Sequence, residues 1–243
     1  MIDRRGGATV ATAGLSLRGA RGWVYQEIGF QAQPGELVVF EGPAGSGRTS
    51  LLLTLAGRMR PTAGTAEVDG LPLPAQAGHV REFTALGPMA GVNELDDSLS
   101  VSAHLRERQL LHMPLIGLPA RRETFARAHA ALAATGLVAE RLPAGLRTAA
   151  GALTLLDRFR LGMALALMGQ PRLVCVDDVD DRLHSAERAA AWQLLRAVAD
   201  GGVTVLAATT DTAHAALGLA DRTVHMLGEE HAARFGGLAD ARV

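Results

Sequence analysis

The sequence contains no lysine: all 24 basic residues of the 243-residue chain are arginines. Aspartate and glutamate together number 25, so the formal net charge is −1. Nucleic-acid-binding domains usually carry an excess of positive charge, and its absence argues against nucleic acid as a partner. Alanine and glycine are abundant, which is typical of GC-rich coding sequences that favour arginine over lysine.

Cysteine and long apolar runs are also scarce. The single cysteine, Cys175, lies within an apolar run, so a disulfide framework and a cysteine metal cluster are both excluded. No stretch approaches the roughly 18 apolar residues that a membrane-spanning helix needs. The first residues, MIDRRGG, lack the apolar core of a signal peptide. We therefore expect a cytoplasmic protein.

Length and composition predict one folded unit. Hydrophobic residues make up 48% and charged residues 20% of the chain, as in globular proteins. A chain of 243 residues is long enough for a well-buried core. We predict a single domain over residues 1–243, with room for a sizeable insertion.

Residues 36–55, ELVVFEGPAGSGRTSLLLTL, form the most informative stretch. Residues 36–40 are mostly apolar, which predicts a buried strand, and a helix is predicted from residue 50 onward. Glycines between the two elements let successive N–H groups point into one concavity, and the helix N-terminus adds partial positive charge. Such a turn binds a di- or triphosphate, and the predicted binding residues are Gly42, Pro43, Ala44, Gly45, Ser46, Gly47, Arg48, Thr49 and Ser50.

The spacing compares with the phosphate-loop pattern G-x-x-x-x-G-K-[ST], whose lysine contacts phosphates and whose hydroxyl binds Mg²⁺. Gly42, Gly47 and Thr49 fit the pattern, but Arg48 occupies the lysine position. A guanidinium is a planar fork rather than a compact ammonium, so the exchange is not conservative. The alternative is an ordinary glycine-rich turn. The coincidence of strand, glycines, hydroxyl and helix favours the phosphate loop.

Residues 171–178, PRLVCVDD, combine an apolar strand with two acids. In phosphate-loop proteins, such a strand carries a carboxylate to the shell of Mg²⁺, and Asp177 is predicted to be that ligand together with Thr49. The alternative is a core strand that ends in an acidic turn. The position of the motif after a phosphate loop favours the metal site.

The order of these segments resembles the nucleotide-binding domain of ABC (ATP-binding cassette) proteins. Strands predicted at 8–17 and 23–30 precede the phosphate loop, and the run LAGRMRPTAGTAEVDGLPL at 55–73 follows it. The resemblance covers the chain from Thr9 to Leu227. It implies an α/β, P-loop NTPase core of the ABC ATPase type, an antiparallel β subdomain at 8–35 and 63–73, and an inserted helical subdomain at 88–160.

The remaining pattern predicts further elements. These are a strand at 80–87, helices at 100–111, 120–135, 153–168 and 185–199, and a strand at 203–208. The segment after residue 208 resembles the final helix and strand of the family.

The resemblance also implies catalytic positions. The glutamate with which the family orients the attacking water falls at Asp178, which keeps the carboxylate but is one methylene shorter. The switch histidine of the family falls at Thr210, whose hydroxyl has a shorter reach and no positive charge. A misplacement of about 1 Å can cost on the order of 10²-fold in rate, so slow or absent hydrolysis is implied.

Two other family motifs are altered. The glutamine between the core and the helical subdomain has no counterpart within residues 77–108. The signature that caps the nucleotide of a partner cassette falls on residues 153–157, LTLLD. Thr154 keeps a hydroxyl, but two leucines hinder close backbone approach and Asp157 adds negative charge. We interpret the segment as an ordinary start of an amphipathic helix.

The adenine-stacking position of the family, near Leu17 and Arg18, has no aromatic residue. The guanidinium of Arg18 is one candidate for stacking on a purine. Trp23 and Tyr25 occupy alternate strand positions and are predicted to be packing residues. His184 stands where the family has an aspartate and is predicted to be a surface residue.

The resemblance implies an ATP-binding subunit of an ABC-type transport or export system, peripheral at the inner face of the cell membrane. ATP and Mg²⁺ are the implied cofactors, and an integral membrane permease is the implied partner. A second cassette is also implied, with a heterodimer favoured over an ATP-sandwich homodimer. The alternative is a non-catalytic regulatory module or the silent half of an asymmetric pair. A small-molecule kinase fits the segments at 55–73 and 203–227 less well.

Overall fold

The computed structural model describes residues 6–111, 121–180, 182–210 and 218–226. The strands are β1 (Val10–Gly19), β2 (Gly22–Ala32), β3 (Leu37–Glu41), β4 (Ala63–Val68), β5 (Leu71–Leu73), β6 (Thr84–Leu86), β7 (Leu173–Val176), β8 (Thr204–Thr209) and β9 (Arg222–His225). The α-helices are α1 (Arg48–Leu55), α2 (Ala77–Phe83), α3 (Val101–Leu111), α4 (Arg121–Thr135), α5 (Leu155–Leu167) and α6 (Ser185–Asp200). Short 3₁₀ helices lie between α4 and α5, at Ala139–Arg141, Gly145–Arg147 and Ala150–Ala152.

The strands form two sheets. One is antiparallel, in the order β2-β1-β4-β5. The other is parallel, in the order β6-β7-β8-β3-β9. Parallel strands end on the same side of their sheet, so the loops that follow β3, β7 and β8 are neighbours. This edge of the parallel sheet brings together the two motifs that the sequence predicts to bind phosphate and metal.

Strand β3 is buried on both faces. Val38 and Phe40 pack in one apolar cluster with Leu52 of α1. Val39 faces the opposite way and packs in a second cluster with Trp192 of α6. Because successive side chains of a strand point to opposite faces, an unbroken apolar run is the pattern of a strand covered on both sides. The loop after β3 is therefore anchored in the centre of the core.

A third apolar cluster lies among α3, α4 and α5. It includes Val101, Leu105, Ala131, Leu132 and Leu161. Phe159 and Met163 of α5 also pack in the cluster that contains Trp192, so α5 contacts both the helical region and the parallel core. Across the described ranges, we find no helix with the length and apolar character that crossing a membrane requires.

The strand predicted at residues 80–87 is wrong in its first half. Helix α2 (Ala77–Phe83) occupies those residues, and only Thr84–Leu86 form a strand. Val80 and Phe83 are both buried and lie three residues apart, which is the spacing of one helical face. The helix that the resemblance implies between β8 and β9 falls mainly on residues 211–217, outside the described ranges.

Cys175 lies on β7 and is fully buried. Burial raises the pKa of its thiol to about 12, while the charge of Arg58 opposes this shift and that of Asp177 adds to it. Because the thiolate is the reactive form, we expect the native protein to resist iodoacetamide at about pH 8. Urea-unfolded protein should react like an ordinary thiol, and mass spectrometry distinguishes the two. Rapid labelling of the folded chain would contradict this expectation.

Candidate functional site

The loop between β3 and α1 curls at two glycines with left-handed backbone. Gly45 has φ +83° and Gly47 has φ +84°. A Cβ atom on Gly47 would lie 2.2 Å from the carbonyl oxygen of Val24, and one on Gly42 would lie 2.6 Å from that of Met226. The glycine spacing seen in the sequence is therefore required by the backbone conformation and by the close approach of neighbouring strands.

Unpaired donors gather at the start of α1. The N-cap of this helix is Gly47, which supplies no side-chain hydrogen bond, so the N–H groups of the first turn emerge at a positive helix end. Among the described residues, the buried atoms Ser46 Oγ and Arg48 Nη1 have no hydrogen-bond partner. Phosphate oxygens would satisfy these groups, so the loop fits a phosphate ligand.

The two predicted metal ligands lie together. The Thr49 hydroxyl, in the first turn of α1, donates to Asp177 Oδ2. Asp177 follows β7 and is only 6% exposed, and its Oδ1 accepts from the N–H of Asp178 at 3.0 Å. Mg²⁺ prefers hard oxygen ligands and is usually completed by waters and substrate phosphates. A hydroxyl and a carboxylate beside a phosphate loop therefore fit a nucleotide-bound Mg²⁺.

Arg48 and Asp178 form an ion pair. Arg48 Nη2 donates to Asp178 Oδ1 at 3.0 Å, and the two side chains are 7% and 42% exposed. The backbone of Asp178 has φ +43°, which is uncommon for a residue with a side chain. The predicted water-orienting carboxylate is therefore engaged by the side chain in the lysine position of the phosphate loop.

A cavity of about 280 Å³ opens beside this ion pair. Thr210, which the resemblance places at the switch histidine, lies in the same cavity as Asp178. Sequence reasoning missed Arg182 and Arg188 as site residues, because their only signal was their place shortly after the acidic motif. The cavity is lined by Ala44, Arg48, Asp178, Asp180, Arg182, Arg188 and Thr210.

Asp180 is a structural anchor of this cavity. It is 7% exposed, its Oδ1 accepts from Trp192 Nε1 at 2.8 Å, and its Oδ2 accepts from the Thr209 hydroxyl. His184 is exposed at the start of α6, where its N–H donates to Glu187 Oε2 at 3.3 Å. The prediction of a surface histidine is thus confirmed.

A second cavity, of about 370 Å³, separates the acidic motif from the helices. Asn93 and Glu94 line it together with Asp177, in the region where the family has its glutamine. The Asn93 amide donates to the Gly87 carbonyl at 2.7 Å and to the Leu86 carbonyl at 3.2 Å. Asn93 therefore ties this loop to the end of β6.

Residues 153–157 contain the N-cap of α5 and the first residues of that helix. The Thr154 hydroxyl caps the helix by accepting from the Asp157 N–H at 3.1 Å. Asp157 pairs with Arg160 at 2.9 Å, and the side chain of Leu155 is 42% exposed. These contacts are those of an ordinary capped helix, as the sequence predicts.

Arg18 and Trp23 form a cation–π pair on the antiparallel sheet. They oppose each other across β1 and β2, and the guanidinium carbon lies 5.6 Å from the Trp23 ring centroid. Trp23 is 36% exposed, so its assignment as a packing residue is wrong. Tyr25 is buried and donates to Thr54 Oγ1 at 2.8 Å, as expected of a packing residue. Burial raises the pKa of Tyr25, and the bond to Thr54 opposes that shift.

Comparison with known proteins places the chain in a family. The sequence profile described as "ABC transporter" matches residues 25–180. The cytochrome c biogenesis ATP-binding export protein CcmA of Rhodopseudomonas palustris is 32% identical over 221 residues, covering 88% of this chain and 96% of that protein. The Nod factor export ATP-binding protein I of Burkholderia pseudomallei is 30% identical over 188 residues, covering 76% of this chain and 57% of that protein. The chain thus spans little more than half the length of the latter relative. This chain belongs to the ABC transporter family.

A solved structure shows the same fold. It is cbiO1 from Clostridium perfringens, part of the ABC transporter complex cbiONQ. The TM-score is 0.74 at 21% identity, over 89% of this chain and 84% of that one. The predicted fold class, an ABC-type P-loop core with an antiparallel β subdomain and a helical subdomain, is confirmed.

Proposed function

We propose that this chain is the ATP-binding subunit of an ABC-type transport or export system and binds Mg-ATP through residues 42–50. The observation that carries the proposal is the meeting of Thr49 and Asp177 beside a phosphate loop with unpaired buried donors. Two relatives from the same family are named ATP-binding export proteins, which supports the same role here.

Each part of the site has a task in this proposal. The N–H groups of the loop and of the first turn of α1 bind the β- and γ-phosphates. Arg48 keeps its ion pair with Asp178 and adds positive charge beside the phosphates. Thr49 and Asp177 hold Mg²⁺, which neutralises phosphate charge when bound.

Hydrolysis is slow or absent in this proposal. Asp178 is one methylene shorter than glutamate, and its carboxylate pairs with Arg48 at 3.0 Å. Thr210 lies in the cavity but offers only a hydroxyl toward a γ-phosphate. Because phosphoryl transfer depends on positioning and charge, both departures raise the barrier.

The proposed partners are an integral membrane permease and a second cassette. Residues 88–160 are the proposed helical subdomain that faces them, at the inner face of the membrane. The Thr154 hydroxyl already caps α5, and Asp157 would bring negative charge near the nucleotide of a partner. We therefore favour a heterodimer and expect light scattering to show little ATP-dependent homodimer.

A non-catalytic regulatory module is the second candidate. The Arg48–Asp178 pair and the uncharged Thr210 favour it, because both act against turnover. An ATPase assay, with the protein alone and with a candidate partner cassette, discriminates the two proposals. Robust turnover by the isolated chain would eliminate the regulatory module.

Calorimetric titration with Mg-ATP tests the proposed binding. We expect micromolar affinity, lost when Gly47→Asp places a carboxylate in the phosphate loop. Mg-AMP, which lacks the β- and γ-phosphates, is the control ligand and should bind far more weakly. If Mg-ATP gives no heat with the unmodified chain, the phosphate loop does not bind nucleotide.

Recovery of no integral membrane protein in a pull-down from native membranes would contradict the transport role.

A further inference from the structure

We infer that Arg182 contacts the terminal phosphate of bound ATP and supplies the positive charge that Thr210 lacks. The inference rests on the proposed nucleotide binding and adds a residue that discriminates ATP from ADP. Arg182, Thr210 and Arg48 line the same cavity of about 280 Å³.

The cavity is placed for a γ-phosphate. Ala44 and Arg48 enter it from the phosphate loop and α1, and Asp178 enters it from the end of β7. Arg48 is more than nine-tenths buried, and its Nη1 atom has no hydrogen-bond partner among the described residues. A buried guanidinium that lines a cavity and has an unpaired donor favours an anionic ligand.

The charges of the lining favour the same ligand. Three guanidinium groups and two carboxylates give the cavity a net charge of +1. Asp178 is paired with Arg48, and Asp180 is bound by Trp192 and Thr209. Both carboxylates are therefore engaged by neighbours within the protein, which leaves the lining suited to a further negative charge.

Arg182 differs from the other two arginines in position. Arg48 is buried in the phosphate loop, and Arg188 on α6 donates to the Leu183 carbonyl at 3.2 Å. Arg182 lies on an exposed loop and lines both the cavity beside Arg48 and the one beside Asp177. A long side chain at the boundary of the two cavities would contact a terminal phosphate bound between Arg48 and the metal site.

The backbone at this position is also unusual. Arg182 has φ +59°, a left-handed conformation that favours glycine. An arginine held in a glycine conformation within a site is a reason to look for a function of its side chain. It also provides a variant that removes the guanidinium without straining the fold, namely Arg182→Gly.

The test compares Mg-ATP with Mg-ADP by calorimetry. We expect Arg182→Gly and Arg182→Gln to weaken ATP binding about tenfold, as the loss of one charge-assisted hydrogen bond does, and to leave ADP binding within about twofold. Arg182→Lys should keep part of the preference for ATP. Arg141→Gln, at an exposed arginine outside both cavities, should change neither affinity.

Three outcomes would overturn the inference. Unchanged ATP affinity in Arg182→Gly would exclude contact with the terminal phosphate. An equal loss of affinity for ATP and for ADP would show that Arg182 does not act through the terminal phosphate. Either of these two results would leave the proposed function intact. Failure of the unmodified chain to bind either nucleotide would reject the inference together with that function.

Thermal denaturation of Arg182→Gly should show a midpoint equal to or above that of the unmodified chain.

Discussion

Replacing Gly47 with alanine is expected to remove Mg-ATP binding and to destabilise the fold. The new Cβ atom would lie 2.2 Å from the Val24 carbonyl oxygen, which belongs to the backbone of β2 and has little freedom to move. The left-handed φ of +84° adds about 1–2 kcal/mol for a residue with a side chain. Relief of the contact requires the loop to separate from β2, and the phosphate-binding conformation is lost with it.

Gly45→Ala is the matched control. Its φ of +83° is nearly the same, but a Cβ atom there would meet nothing within 4 Å. We expect it to lower the free energy of unfolding by about 1–2 kcal/mol, from backbone strain alone, and to retain measurable binding. Urea unfolding and calorimetry provide both quantities. Equal losses in the two variants would show that strain at φ, rather than contact with Val24, explains the glycine at position 47.

Arg172→Ala is expected to lower the free energy of unfolding by about 3–5 kcal/mol, because it leaves a largely buried carboxylate without its partner. Arg172 is 9% exposed and precedes β7 in the parallel sheet, whereas Asp69 lies in the turn between β4 and β5. Arg172 Nη2 donates to Asp69 Oδ1 at 2.7 Å, and Nη1 donates to Asp69 Oδ2. The bidentate pair therefore joins the two sheets.

The double variant Arg172→Ala with Asp69→Asn separates the charge effect from lost packing. Removal of both charges should restore part of the lost stability, since no unpaired carboxylate remains. Asp97→Asn is the control for an exposed pair, because Asp97 is 72% exposed where it meets Arg158 at 2.6 Å. Its cost should stay below about 1 kcal/mol. A small loss in Arg172→Ala, comparable to that of Asp97→Asn, would contradict the proposed link between the sheets.

Local sequence patterns predicted most of the strands and helices. The apolar run before residue 41 predicts a buried strand, and β3 has apolar clusters on both faces. The segment at 80–87 was mispredicted because a short apolar stretch satisfies both helical and strand spacing. Only the packing of Val80 and Phe83 against the core selected a helix there.

Some residues of the candidate site could also be predicted from the sequence, and others could not. The phosphate loop and the acidic motif are contiguous stretches with their own spacing, so the sequence alone could predict phosphate and metal binding for them. Trp23 was misjudged because alternation along a strand does not tell which face is covered. Its exposure depends on what packs beside β2, and the structure places Arg18 over its ring.

By itself, the sequence determined the phosphate loop, the order of the elements and the family, since these depend on local spacing and on the order of motifs along the chain. Only the tertiary structure decided which distant side chains meet. Arg48 reaches Asp178 across 130 positions, and Arg172 reaches Asp69 across 103. Such contacts arise because parallel strands bring their ends to one edge and because a second sheet packs beside them. No local pattern encodes them.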